Sequence, residues 1–226
     1  MAAEEHISAS DVKNNMKRTL VVLTGWARDG HSYQKLIKSA ANGWHVLIPR
    51  YRELGLQKGI LEFEKNLLSL IKSQKPPVSL LGHSLGGALA IGFSSKYPDM
   101  VKELFLIDSK GVRHNGSLLD EILTLLEEYK KKTLLEHFRY FAGMLRNPIV
   151  YIKSGLIAHY ADLEKEARLI RAKTTIFWGE NDTVTPLAHG KKIKENIQNS
   201  RLIVFRDLGH DWILHTPEKF WKEIES

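Results

Sequence analysis

The sequence predicts an α/β fold: a mostly parallel sheet of about six strands flanked by helices, with a helical segment inserted between two of the strands. Three observations predict it. Six short apolar runs recur along the chain, helical stretches separate them, and the alternation stops between Gly111 and Lys173, where helical spacing takes over.

The runs are TLVVLTG (19–25), WHVLIP (44–49), VSLLGHS (78–84), ELFLIDS (103–109), TTIFWGE (174–180) and RLIVFRD (201–207). Most are continuously apolar, as strands buried on both faces require, which argues for parallel pairing under covering helices. Between the second and third runs, LQKGILEFEKNLLSLIKSQ places Ile60, Phe63, Leu67 and Ile71 on one side and Leu61, Lys65, Leu68 and Lys72 on another. That spacing predicts an amphipathic helix, closed by Pro76 and Pro77. LGGALAIGFSSKY, after the third run, reads as a helix of small residues ended by Pro98 and suited to close packing on a sheet. In the interruption, LLDEILTLLEEYKKKTLLEHFRYFAGML and ADLEKEARLIRA have helical periodicity. The expected organisation is therefore a core of residues 1–110 and 173–226 with a helical insertion at 111–172. A closing helix is expected in HTPEKFWKEIE, with Thr216 as N-cap and Pro217 at the first helical position.

At 226 residues the chain is long enough for one sizeable core. Its 43% hydrophobic and 26% charged residues are those of a packed globular protein. No window approaches the roughly 18 apolar residues of a membrane span, and MAAEEHISASDVKNNMKRTL lacks the basic-then-apolar order of a signal peptide, so no membrane span and a cytoplasmic location are expected. The absence of cysteine removes disulfides, thiolate nucleophiles and thiolate metal sites together. The net charge of +7 is spread among interleaved Lys, Arg and Glu, without a nucleic-acid motif, and reads as a solvated basic surface. No H-E-x-x-H or other metal-ligand spacing occurs, so neither metal nor cofactor is expected.

Within LLGHSLGGALA, Ser84 stands between Gly82 and Gly86, with an apolar strand before it and a helix-forming stretch after it. A sharp strand-to-helix turn forces its central residue into a strained backbone conformation, which only small residues two positions away permit. Such a turn raises the hydroxyl at the carboxyl edge of the sheet, beside the free N–H groups of a helix start. A serine hydroxyl is a poor nucleophile without a base, and the base needs an orienting acid. Asp182 follows the fifth run in FWGENDTVTP, and His210 follows the sixth in FRDLGHDW. Asp108, after the fourth run, is the rival acid.

These three separated motifs, GHSLGG, GENDTVTP and LGH, in the order Ser84, Asp182, His210, resemble those of α/β-hydrolase fold serine hydrolases, from about Thr19 to the C-terminus. The resemblance implies a catalytic triad of these residues and an oxyanion hole made by the backbone N–H groups of Leu85 and Trp26. It implies a carboxylic ester hydrolase that works through an acyl-enzyme and needs no cofactor. Thioesterase, lactonase and other acyl hydrolase chemistry, including C–C bond hydrolysis, would use the same triad. Two departures stand out. Thr24-Gly25 occupies the place where the family usually carries His-Gly, and PRYRELG replaces the Asp-x-x-Gly-x-Gly pattern of many relatives. Eighteen residues precede Thr19, too few apolar ones for the antiparallel hairpin that often opens the family's sheet.

The insertion resembles the cap that covers the family's active site, with Leu125, Phe138, Phe141, Met144, Leu145 and Tyr160 as candidates to line an apolar pocket. His83, beside Ser84 in the strand-to-helix turn, is a candidate to line the site. A small acyl ester is the expected substrate, and the basic charge, including Lys130 to Lys132, would suit an acidic acyl carrier. The competing class is a ligand-binding or signalling protein on a hydrolase scaffold.

Overall fold

The structure, a computed structural model, describes residues 18–225 except 42, 114–118, 121–122, 125–126, 128–129 and 131–132. Its described residues form six strands: β1 (Arg18–Leu23), β2 (Trp44–Leu47), β3 (Val78–His83), β4 (Val101–Ile107), β5 (Lys173–Gly179) and β6 (Ser200–Phe205). They make one sheet in the order β2-β1-β3-β4-β5-β6, and every neighbouring pair is parallel. The expected fold class is the observed one.

Successive strand residues point to opposite faces of a sheet, and both faces here are dry. Val21, Leu23, Leu80, Leu104, Leu106, Ile176 and Trp178 enter one core, packed with Phe63, Leu67 and Ile71 of α2 (Ile60–Lys72) and with α3 (Leu85–Lys96). Their neighbours Leu20, Val22, Leu81, Phe105, Ile107 and Phe177 enter the other. That second core holds Leu36 of α1 (Gln34–Lys38), Trp212 to Leu214 of a short helix, and Phe220 and Trp221 of the last helix. Two dry faces explain why the strand sequences are apolar without alternation.

Helix α3 carries no polar stripe because it is enclosed: nine of its residues, from Leu85 to Ser94, are buried between the sheet and the inserted helices. Helix α2 shows the expected amphipathic face, except that Ile60 at its first turn is exposed with Leu61.

Between β4 and β5 the described residues contain no strand. They include α4 (Leu134–Arg146), α5 (Pro148–Tyr160), with Pro148 in its first turn, and α6 (Glu164–Ala167). The N–H of Leu163 donates to the Gly111 carbonyl at 2.9 Å, which closes the base of this excursion. Helices α7 (Leu187–Asn196), α8 (Trp212–His215) and α9 (Glu218–Glu225) complete the chain. The Thr216 hydroxyl donates back to the Trp212 carbonyl at 3.2 Å, a bond that ties α9 to the end of α8. None of the described helices is long and apolar enough to cross a membrane.

Phe63 is fully buried and Leu61 is 72% exposed on the same helix. Phe63→Ala is expected to cost about 3–5 kcal/mol and Leu61→Ala less than about 0.5 kcal/mol, measured by urea unfolding. Comparable losses would contradict the assigned face.

Candidate active site

The site is built on the carboxyl edge of the sheet. At the end of β3 the chain passes through Ser84 at φ 52° and ψ −117° and enters α3 at once. This is a costly conformation for a residue with a Cβ. It is held by backbone bonds on both sides: the Ser84 N–H donates to the Ile107 carbonyl at 3.0 Å, and the Lys110 N–H donates to the Ser84 carbonyl at 2.9 Å. The glycines leave no room for substitution. A Cβ on Gly82 would strike the Gly86 carbonyl, one on Gly86 the Leu23 carbonyl, and one on Gly87 the Ser109 side chain. Ala27, Asp108 and Asp207, which follow β1, β4 and β6, also have positive φ, while Lys75, the remaining non-glycine case among the described residues, precedes β3.

The structure brings the three predicted side chains together. Ser84 Oγ lies 3.0 Å from His210 Nε2, and His210 Nδ1 lies 2.7 Å from Asp182 Oδ2. These partners assign the tautomer: the proton sits on Nδ1, and Nε2 is left to accept from the serine hydroxyl. Asp182 is itself held. Its Oδ1 accepts the N–H groups of Val184 and Thr185 at 2.8 Å each, and its Oδ2 accepts the Thr185 hydroxyl at 2.5 Å. Burial alone would raise the Asp182 carboxyl. Attraction to His210, the bond between them and the Thr185 donors outweigh that and hold it below the usual carboxylate range.

Sequence reasoning missed most of the supporting groups. The Gly25 N–H donates to the Tyr33 hydroxyl at 2.9 Å, the Tyr33 hydroxyl reaches His83 Nδ1 at 2.7 Å, and His83 Nε2 reaches the His210 carbonyl at 3.0 Å. Read with donors donating, this is a directed chain: the tyrosine O–H to Nδ1, then Nε2–H to the carbonyl of His210. Burial, reinforced by repulsion from His210, pushes His83 down to about 3, so the ring is neutral and the chain keeps its direction. His83 thus lies behind His210 and joins it to the loop after β1. Tyr51, from the PRYRELG segment, donates to the Thr24 carbonyl and braces the same loop. The signal for these residues was weak because their partners are remote in sequence.

Asp108 also lies here, fully buried at the end of β4. Its Oδ1 accepts the Gly179 N–H at 2.8 Å, while Oδ2 has no hydrogen-bond partner among the described residues. Asp182, and not Asp108, makes the bond to His210. His83, Asp108 and His210 offer three ligand atoms within 4.8 Å of one another, the one such cluster among the described residues. Both ring nitrogens of each histidine are already engaged in the bonds above, so a cation there would have to break them.

Leu85 is the first residue of α3, so its N–H has no carbonyl four residues back to bind and stands beside Ser84. Trp26 follows Gly25 in the braced loop. Its indole N–H donates to the Tyr151 carbonyl on α5 at 3.0 Å, and the ring packs edge-on to Tyr151 at 5.9 Å. A cleft of about 1030 Å³ opens next to this contact, lined by the loop residues Thr24, Ala27 and Arg28, by Arg50 to Glu53, and by Arg146, Val150, Tyr151 and Ser154 of the inserted helices; Ser84, Asp182 and His210 are not among its lining residues. Its wall carries Arg28, Lys35, Arg50, Arg52 and Arg146 against Asp29 and Glu53. The apolar pocket expected from Phe138, Phe141, Met144, Leu145 and Tyr160 is not this cleft, because all five side chains are exposed on the outside of the inserted helices. The helical pattern alone could not tell which apolar residues turn inward. Leu125 lies outside the described residues, as do Lys131 and Lys132, while Lys130 pairs with Glu127 at 2.5 Å.

A family model described as the alpha/beta hydrolase family matches residues 20–223. A 2-hydroxy-6-oxo-6-phenylhexa-2,4-dienoate hydrolase of Burkholderia cepacia is 24% identical over 82% of this chain and 76% of its own length. A namesake from Comamonas testosteroni is 30% identical over 159 residues, 58% of this chain and 55% of the relative. Among solved structures, an esterase from Exiguobacterium antarcticum superposes with a TM-score of 0.76 at 22% identity, covering 92% of this chain and 90% of that one. A meta-cleavage product hydrolase from Pseudomonas fluorescens IP01 does so with a TM-score of 0.74 at 17% identity, covering 93% and 89%.

Two outcomes test this geometry. Gly86→Ala, which has only backbone to displace, is expected to destabilise the fold by about 3 kcal/mol or more, or to leave it folded with the turn rearranged, read by chemical denaturation. His83 supplies a pH signature. Its folded value of about 3 lies below the ordinary 6.5, so its contribution is complete above 6.5 and is lost as pH falls from there towards 3. Between pH 7 and pH 5 the wild type should lose about 2 kcal/mol more stability than His83→Gln; parallel stability curves would contradict a buried neutral His83.

Proposed function

The chain belongs to the alpha/beta hydrolase family, and from that premise we propose that it is a serine hydrolase cleaving a carboxylic ester through an acyl-enzyme intermediate. One observation carries the reading: the unbroken line from Ser84 Oγ to His210 Nε2 at 3.0 Å and from His210 Nδ1 to Asp182 at 2.7 Å, both within the reach that proton transfer requires.

Ser84 attacks the acyl carbonyl while His210 takes its proton. Asp182 keeps the imidazole in the required tautomer and balances the positive charge that the ring acquires. Negative charge on the attacked oxygen is met by the N–H of Leu85, at the positive end of α3, and by the N–H of Trp26. His210 returns its proton to the departing alcohol, and the acyl group stays on Ser84. A water activated by the same imidazole then releases the acid. The inserted segment 111–172 acts as a cap: α5 holds the Trp26 side chain and forms one wall of the cleft. Arg28 on that wall is paired with Asp211 at 2.5 Å, and the remaining Lys35, Arg50, Arg52 and Arg146 against Asp29 and Glu53 favour an acyl compound whose carboxylate or phosphate rests in the cleft beside the triad, whether a small ester or an acidic carrier.

A second reading draws on the named activities of the relatives, which act on 2-hydroxy-6-oxo-dienoates. These are anionic ketones, and hydrolysis of the C–C bond next to the ketone would use the same serine and histidine. A third, a binding protein on this scaffold, requires that the triad turn over nothing.

A panel of p-nitrophenyl esters of graded acyl length, matched thioesters and a 2-hydroxy-6-oxo-dienoate separates the three. Ester turnover is expected in the wild type, with a loss on the order of 10⁵-fold or more in Ser84→Ala. Turnover of the dienoate alone would move the assignment to C–C hydrolysis, and turnover of nothing would favour the binding protein.

A further inference from the structure

Among the described residues, Asp108 is the one fully buried carboxyl that the mechanism above does not use, and its position is specific. It stands at φ 43° at the end of β4, anchored by its N–H to the Phe177 carbonyl at 3.0 Å and by Oδ1 to the Gly179 N–H at 2.8 Å. Thr185 ties the two carboxyls together: its one hydroxyl contacts both the Asp108 carbonyl at 3.0 Å and Asp182 Oδ2 at 2.5 Å. The second oxygen, Oδ2, is sealed from water and receives no hydrogen bond from a donor among the described residues, the Asp182 carboxyl lies within hydrogen-bond reach of the Asp108 carboxyl, and an Asp108 oxygen lies within 4.8 Å of a ring nitrogen of His210 and of His83. The groups facing it are Asp182 after β5, His83 at the end of β3, and His210 and Asp211 after β6; Lys110, also buried, follows it on its own segment.

A dry pocket cannot hold two bare carboxylates side by side, because like charges at such range in low dielectric are expensive. Asp182 has the better claim to the charge, with His210 and three Thr185 and Val184 donors, while Asp108 has one backbone donor. Burial first, and the Asp182 charge second, push the Asp108 carboxyl well above the usual range, in line with this division.

We propose that Asp108 is a reserve acid for the triad: it stays neutral while Asp182 is ionised, and it becomes the counter-charge of His210 when the carboxylate at 182 is removed. The proposal rests on the triad reading above. Its chemistry is one proton. With Asp182 replaced by a neutral side chain the repulsion is gone and burial alone opposes ionisation; the positive charge that His210 gains when it takes the serine proton offsets that burial, the Asp108 proton leaves to solvent, and the carboxylate formed lies close enough to stabilise the imidazolium. Asp108 would then be a positioning residue that acts on His210 by charge, through space.

A double-mutant cycle tests it, with the rate of fluorophosphonate labelling as readout because that probe needs no knowledge of the natural substrate. Asp182→Asn, Asp108→Asn and the double variant are compared with the wild type at neutral pH. The expected result is that removing Asp108 slows labelling at least about tenfold more in the Asp182→Asn background than in the wild-type background. Equal factors in both backgrounds overturn the proposal. Should the double variant fail to fold, the pH profile of Asp182→Asn alone decides: two ionisations below neutrality support a second acid, and a single one overturns it. Failure of the wild type to label at Ser84 would sink the triad reading itself, which is a different outcome from equal factors in a protein that labels.

Discussion

At Ser84 the backbone leaves β3 and enters α3 through a left-handed conformation, and the rest of the site is arranged around the cost of that turn. The strain is carried by geometry on all sides. Ile107 and Lys110 fix the serine's own N–H and C=O, and Gly82, Gly86 and Gly87 let strand, turn and helix approach to distances that no Cβ would survive. In return the hydroxyl is presented at the carboxyl edge of the sheet with a helix start beneath it.

Parallel pairing supplies the partners. Because β3, β4, β5 and β6 run the same way and lie side by side in the order β3-β4-β5-β6, their ends open on the same edge. Ser84, Asp108, Asp182 and His210 follow those four strands in turn, so residues up to 126 positions apart meet within a hydrogen bond. A single pattern of strand register therefore explains both the assembly of the triad and the presence of a second buried acid beside it. The chain from Gly25 through Tyr33 and His83 to the His210 carbonyl joins the remaining component, the loop after β1, to the same edge.

What was legible in the sequence follows from which interactions leave a local trace. Continuous apolar runs declare strands buried on both faces, and a glycine pattern around one serine declares a strained turn, so the six strands, Ser84, Asp182 and His210 could be read directly. His210 makes its hydrogen bond to Asp182 and not to Asp108, two acids that sequence could not rank because both follow apolar strands. Tyr33, Tyr51 and Thr185 left no trace, since each works through one hydroxyl reaching a backbone or side chain set by the tertiary fold. The inserted helices were readable as helices but not in their orientation: α5 carries apolar side chains on both faces, Val150 and Ile157 against the core and Ile149, Ile152, Leu156 and Tyr160 exposed, and Phe138 and Phe141 of α4 are exposed as well. The polar wall of the cleft arises from Arg50, Arg52 and Arg146, two loop residues and one helix end that nothing in the sequence associates.

The central claim is that Ser84 is a nucleophile made reactive by this edge. The most direct measurement is peptide-level mass spectrometry of the wild-type protein after exposure to a fluorophosphonate. The adduct is expected on the peptide containing Ser84 and on no other serine, with no adduct after denaturation before labelling. Modification distributed over other serines, or none at all in the folded protein, would contradict it.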